Sequence, residues 1–418
     1  MGSKLFRRSL MVMVALCIFS TYAFGGEVEV LHWWTSGGEA KSVAVLKELL
    51  EKEGHIWKDF AVAGGGGDAA MTVLKSRAVA GNPPTAAQVK GPQIQLWGDE
   101  GLLANLDDVA RAEKWDELLP KVVADIMKYE GSYVAVPVNV HRINWMWANP
   151  EVFRKAGAQL PTTWEQFEVA AKKIKKAGFI PVAWGGQPWQ EATVFEIIVA
   201  AVGGPDFYRR ALVDADAKAL SSPTMVKALE IMKMIKQYTD KGAPGRDWNL
   251  ATAMVIQGKA AMQFMGDWAK GEFTAAGKSP GADYIAMPAP GTSNQFLFNV
   301  DSFIMFKQKD PGAKEAQKAM ARLILQPEFQ KVFNVNKGSI PVRLGMPRAP
   351  FDDPALRAMS EFIASATGGG LVPSMAHEMA VFPAIRGAIL DVVTNFYNSD
   401  MSAKKAAAEL AREVEAAM

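Results

Sequence analysis

The stretch GSYVAVPVNV, residues 131–140, reads as a β-strand broken by a proline. Valines at 134, 136, 138 and 140 give the two-residue period of a pleated strand. Pro137 has no N–H for a ladder, so it belongs at a sheet edge or where the chain leaves a sheet. We read it as a crossing between two halves of the molecule.

Upstream, strands and helices alternate. Residues 27–32 read as a strand, and Val43, Leu46, Leu49 and Leu50 have helical spacing that stops at Gly54. Residues 56–63 return to strand. GGGGD, 64–68, leads into a helix through Met71, Leu74 and Val79, which Asn82-Pro83-Pro84 ends. A strand at 86–89 and a helix at 94–101 follow. Downstream the alternation resumes, with a helix at 163–177 begun by the Thr163 cap and a strand at 180–184. Helices are expected at 193–202, 223–239, 251–257, 313–325 and 327–333. Strands are expected at 259–265, 284–287 and 296–306. The pattern predicts an α/β fold with parallel sheet covered by helices on both faces.

The first residues stand apart. Lys4, Arg7 and Arg8 precede an apolar run, Leu10–Phe19, and small residues around Ala23 and Gly25. This is a signal-peptide pattern, too short for a spanning helix, and we assign it to residues 1–25. Its removal takes three of the 46 basic residues, leaving 43 against 44 acidic ones, and takes the single cysteine, Cys17. Near neutrality argues against nucleic acid as a partner. Without disulfides, the exported chain must be held by core packing. Its length predicts two domains and a free-moving, monomeric periplasmic protein.

In open α/β sheets ligands bind beyond the carboxyl ends of strands. Trp33 and Trp34, Lys90, Trp184, and the pair Asp267–Trp268 all fall at such ends, and Asp301 lies inside the strand FNVDSF. They come from both halves of the chain. An indole presents an apolar, electron-rich face and one N–H donor. A hexose has one face of C–H groups and a rim of hydroxyls, which suits tryptophan walls ringed by charged and amide groups. Adjacent Trp33 and Trp34 cannot both face one side of a strand, which weakens the core-packing reading for the pair. Trp57, Trp97, Trp115 and Trp164 read as structural. The four histidines show no metal-ligand spacing, and neither metal nor cofactor is expected. GGGGD lacks the lysine and Ser/Thr of a phosphate loop and reads as a flexible turn.

The block YVAVPVNVHRINWMWANPEVFRKAGAQLPTTWEQFEVAAKKIKKAGFIPVAW, residues 133–184, resembles the periplasmic sugar-binding proteins of ABC importers. GKAAMQFMGDWAKGEF, 258–273, and NKGSIPVR, 336–343, resemble two further blocks of that family. The tandem tryptophans, with Glu39 shortly after, resemble its glucose/mannose-binding branch. The resemblance implies a type II-like fold of two α/β lobes, a hinge of several crossings and a ligand cleft between the lobes. It places residues 26–138 and 299–341 in the N-terminal lobe and 139–298 and 342–418 in the C-terminal lobe, with further crossings near 297–299 and 341–343. It implies sugar stacking on Trp33 and Trp34 and hydroxyl contacts from Glu39 and Lys90. It gives aromatic walls from Trp248 and Trp268, a polar contact from Asn144, and a rim of Asp301, Lys337 and His377. The ligand would be a monosaccharide (glucose, with galactose or mannose as alternatives), and the partner a membrane permease.

Two rival readings follow from the residues. Glu39 and Asp301 could form the carboxylate pair of a glycoside hydrolase. The chain could also bind an oligosaccharide or a polyol.

Overall fold

The computed structural model describes residues 25–418, and the signal-peptide assignment lies outside them. A five-stranded sheet runs in the order Ile56–Ala61, Glu27–His32, Ala86–Val89, Ser302–Met305, Ala135–Pro137. The first three strands are parallel, as helical crossovers require. The last two are antiparallel to their neighbours, so the sheet is mixed rather than parallel throughout. A second sheet, Ile285–Pro288, Trp145–Ala148, Ala260–Phe264, Ile180–Val182, is also mixed. Their inner strands are buried among apolar side chains, whereas the edge strand Ile56–Ala61 is largely exposed.

Between them lies a third, four-stranded sheet: Ile340–Pro341, Asn139–Arg142, Phe296–Asn299, Leu371–Pro373. It holds the crossings together. Pro137 ends an edge strand of the five-stranded sheet, and two residues later Asn139 begins a strand of the third. The expected continuous strand 296–306 is two strands in different sheets, with the change at Val300–Asp301. There the Asp301 carbonyl accepts the N–H of Val138, tying two crossings side by side. A third crossing follows the helix Pro327–Lys337, where Ile340–Pro341 pairs with Asn139–Val140.

The lobes are closed on each other. The helix Gly37–Lys52 begins against the helix Ala269–Ala275 of the other lobe, and Glu272 Oε1 accepts the N–H of Gly38 at 3.1 Å. Arg386 Nη1 donates to Asp68 Oδ1 across the same gap at 2.8 Å. Several helices start earlier than the sequence pattern predicts, and two of these starts matter for the site. The helix expected at 193 starts at Pro188, and the one expected at 251 starts at Trp248, each with proline or tryptophan in its first turn.

Candidate functional site

A cleft lies between the lobes; its unfilled space, counted together with the solvent open to it, is about 360 Å³. Its walls include Trp33, Trp34, Glu39, Lys90, Trp248, Trp268, Asp301, Lys337 and His377. Nine of the ten residues that the family resemblance assigns to the site therefore meet around one space; Asp267, singled out at a strand end, does not line it.

The interior strand Glu27–His32 delivers Trp33 and Trp34 at its carboxyl end. Both are nearly buried yet face different neighbours. The Trp33 ring lies under the Lys90 ammonium, 4.9 Å from its centroid. Trp34 packs edge-on against Phe303 at 5.6 Å and against Phe333, with Lys337 Nζ 5.9 Å from its ring. Glu39, in the first turn of the helix Gly37–Lys52, accepts the N–H groups of Thr35 and Ser36 at 3.2 Å each. Its other oxygen takes the Lys337 ammonium at 2.7 Å. Lys337 reaches it because the helix Pro327–Lys337 ends at Gly338, whose φ of +88° turns the chain back.

Lys90 is buried and donates to the Gly66 carbonyl at 3.3 Å. Asp301 sits at the second crossing. Its Oδ1 receives Gln88 Nε2 at 3.3 Å and Asn299 Nδ2 at 3.4 Å, and its Oδ2 faces His141 Nε2 at 2.9 Å. Burial by itself would raise the Asp301 carboxyl. The charge and hydrogen bond of His141, then Lys337 and Lys90, outweigh it and hold Asp301 well below the usual carboxylate range.

The other lobe supplies Trp189, Trp248 and Trp268. Trp268 meets His377 at 4.9 Å and His141 at 5.2 Å, both edge-on, and among the described residues its buried indole N–H has no acceptor. The Oδ1 of Asn299 is likewise buried and has no donor among them. Burial, reinforced by Lys90 and Arg386, pushes His377 well below the ordinary histidine value, so it is neutral. The Thr193 hydroxyl gives its one proton to the Trp189 carbonyl at 2.7 Å, so toward His377 Nε2, at 3.0 Å, it can only accept. This assigns the proton to Nε2 and leaves Nδ1 as an acceptor.

Asn144 does not line the cavity, contrary to expectation. Its amide donates to Thr292 Oγ1 and the Gln295 carbonyl, both at 3.0 Å, and its oxygen accepts Arg142 Nε and the N–H of Leu297. It ties the crossing strands together and has no free polar atom for a ligand. Trp184 lies elsewhere too, stacked on Tyr397 at 4.6 Å. Trp57, Trp97, Trp115 and Trp164 are buried and line no part of this cavity.

Five further wall residues were not foreseen: Gly65, Gly66, His141, Trp189 and Asn299. The glycine run is no free turn. A Cβ at Gly65 would stand 2.7 Å from Trp189 Cζ2, and one at Gly66 3.0 Å from Trp189 Cγ. Asn299 was within reach, since it lies two residues from Asp301. His141 was within reach beside the Pro137 crossing. Trp189 carried no comparable signal, because its helix was expected to start later.

Two lobes joined by three adjacent crossings, and closed over a buried polar and aromatic cavity, define a hinged binding protein. The chain belongs to the bacterial extracellular solute-binding protein family, whose pattern matches residues 37–331. It is 48% identical over 406 residues to a probable sugar-binding periplasmic protein of Rhizobium meliloti (strain 1021), covering 97% of this chain and 98% of that one. Among solved structures it is similar to a chitin oligosaccharide binding protein, with TM-score 0.80 and 20% identity, over 94% of this chain and 99% of that one. It is also similar to the bacterial solute receptor AcbH, described as having an exclusive preference for β-D-galactopyranose, with TM-score 0.78 and 19% identity over 94% and 98% of the two chains. At these identities the structural likenesses speak for the fold.

Proposed function

We propose that this protein is the periplasmic sugar-binding component of an ABC importer and that it binds one monosaccharide, of the glucose, galactose or mannose kind, without turning it over. The observation that carries the reading is the cavity wall: Trp33 and Trp34 from one lobe oppose Trp248 and Trp268 from the other, with Glu39, Lys90, Asp301 and Lys337 at the rim. Indole faces suit the C–H face of a pyranose, and the rim supplies donors and acceptors for its hydroxyls. The name carried by the Rhizobium meliloti relative supports a sugar. The protein's lobes consist of residues 26–138 with 299–341 and of 139–298 with 342–418. The chain is exported by residues 1–25, acts as a monomer, and presents its closed form to a membrane permease.

A hydrolase would need a carboxyl held up as a general acid. Asp301 is held down instead, and Glu39 is engaged by Lys337 and two backbone N–H groups. Tryptophan fluorescence of the mature protein, titrated with a panel of monosaccharides, oligosaccharides and polyols, tests the reading. A saturable change with a hexose and none with longer sugars is expected. If no monosaccharide produced one, and calorimetry agreed, the small-sugar reading would fall. Release of aryl alcohol from aryl glycosides, lost in Glu39→Gln, would favour the enzyme.

A further inference from the structure

We propose that His141 sets the charge selectivity of the cavity: as an imidazolium bridging Asp267 and Asp301, it cancels one carboxylate and makes the site accept neutral solutes over charged ones. The inference rests on the sugar-site reading for its ligands, though not for the protonation state.

His141 lies on the crossing strand Asn139–Arg142, 1% exposed, with its ring at the cavity wall. Its Nδ1 makes a short contact with Asp267 Oδ1, and its Nε2 lies 2.9 Å from Asp301 Oδ2. A neutral imidazole has one N–H and could serve only one carboxylate, leaving lone pair against lone pair at the other. Two carboxylates therefore require both ring nitrogens to carry protons. Neither carboxylate is free to turn away. Asp267 Oδ2 accepts the N–H of Arg142 at 2.9 Å, and Asp301 Oδ1 is engaged by Gln88 and Asn299. Burial opposes the charge on His141, but the two carboxylates outweigh it and hold its pKa above the ordinary value.

The groups around the cavity then balance. Glu39, Asp267 and Asp301 are negative; Lys90, Lys337 and His141 are positive; His377 is neutral. Asn139 Nδ2, itself a donor, lies 3.0 Å from His141 Nε2 but gives a proton to Ser339 Oγ at 3.1 Å, so it offers that nitrogen no lone pair and Asp301 is the acceptor there. Further out, Arg142 faces Glu361, and Arg386 faces Asp68 and Glu378. In a closed, water-poor site an unbalanced charge acts strongly on the ligand. Removing the imidazolium leaves one negative charge in excess. Replacing Asp267 removes the main support of the His141 proton, so burial strips it, and Glu39 and Asp301 stay matched by Lys90 and Lys337. His141 is thus a positioning residue: it orients Asp301 and fixes the sign of the site.

The test has two arms. In the ligand-free wild type, nitrogen-15 NMR of the imidazole at pH 7.5 should show both His141 nitrogens protonated. A single protonated nitrogen overturns the proposal, whatever the protein binds. In the second arm, calorimetry at pH 6.5 compares glucose, glucosamine (an ammonium there) and glucuronate. Wild type should prefer glucose. His141→Gln should move the glucosamine-to-glucose affinity ratio up at least tenfold, whereas Asp267→Asn, which leaves a neutral His141 and a balanced site, should keep both charged-to-neutral ratios within about threefold of wild type. Equal loss for all three ligands in His141→Gln would make His141 a mere strut and refute the proposal. Should His141→Gln fail to fold, the NMR arm decides it, with one protonated His141 nitrogen expected in Asp267→Asn and two in wild type. Failure of wild type to bind any of the three sinks the sugar reading and leaves the NMR arm to judge His141.

Discussion

Gly65→Ala separates closure of the lobes from stability of the fold. The added methyl would lie 2.7 Å from Trp189 Cζ2 and 3.2 Å from Trp248 Cδ1. Gly65 belongs to the loop after the strand Ile56–Ala61, whereas Trp189 and Trp248 begin helices of the other lobe. Trp189 cannot swing aside cheaply, since it is 4% exposed and its N–H is bound to Gln187 Oε1 at 2.9 Å. Overpacking of this kind costs about 1–3 kcal/mol. That clash arises only when the lobes are shut. An open, ligand-free protein does not feel it, so the penalty should fall on binding and not on unfolding. It predicts a Kd raised by about 5-fold to about 150-fold. Calorimetric titration gives the Kd, and ligand-free thermal unfolding should be unchanged within a degree or two. An unaltered Kd would mean that the glycine loop does not meet the tryptophans in the bound state. A large fall in the ligand-free melting temperature would mean that the contact belongs to the folded core.

Other perturbations read different parts of the structure. Trp34→Ala and Asp301→Ala should each weaken hexose binding at least about tenfold, or about 1.4 kcal/mol, by calorimetry. Asn144→Ala should leave affinity unchanged while lowering stability by about 1–3 kcal/mol in urea unfolding, because Arg142 Nε and the Leu297 N–H lose their acceptor. Burial lifts Glu196 to about 7 despite donors from Ser374, Tyr208, Met375 and Ala376. Above the ordinary Glu value of 4.5 and up to about pH 7, the folded protein therefore holds a proton that the unfolded chain has lost. Stability should fall as pH rises through that window, by on the order of 3 kcal/mol from this group. Glu196→Gln should remove its part of the slope, leaving the part due to Glu191, also raised to about 7 by burial.

The hinge shows why a strand pattern can be right in kind and wrong in connection. Residues 296–306 read as one strand, and each half is indeed extended. Only pairing partners divide them: Phe296–Asn299 finds Arg142, His141 and Leu371–Pro373, while Ser302–Met305 finds Ala86–Val89. The proline at 137 was legible because its chemistry forbids a continued ladder wherever it stands. The break at Val300–Asp301 has no such chemistry. Asn144 shows the same limit within the site. A buried asparagine between tryptophans and a hinge reads alike whether it meets a ligand or the backbone carbonyl of Gln295.

Local chemistry in the chain was enough for the α/β alternation, the Pro137 crossing and five wall residues, Trp33, Trp34, Lys90, Trp268 and Asp301, because each follows from near neighbours in sequence; Glu39, Trp248, Lys337 and His377 came with the family resemblance. Tertiary structure alone decided which strand joined which sheet, that Gly65 and Trp189 close the cavity, and that His141 stands between Asp267 and Asp301. Those outcomes depend on groups 126 and 160 residues from His141 coming within hydrogen-bond reach, and no local period in a sequence encodes contacts at that separation.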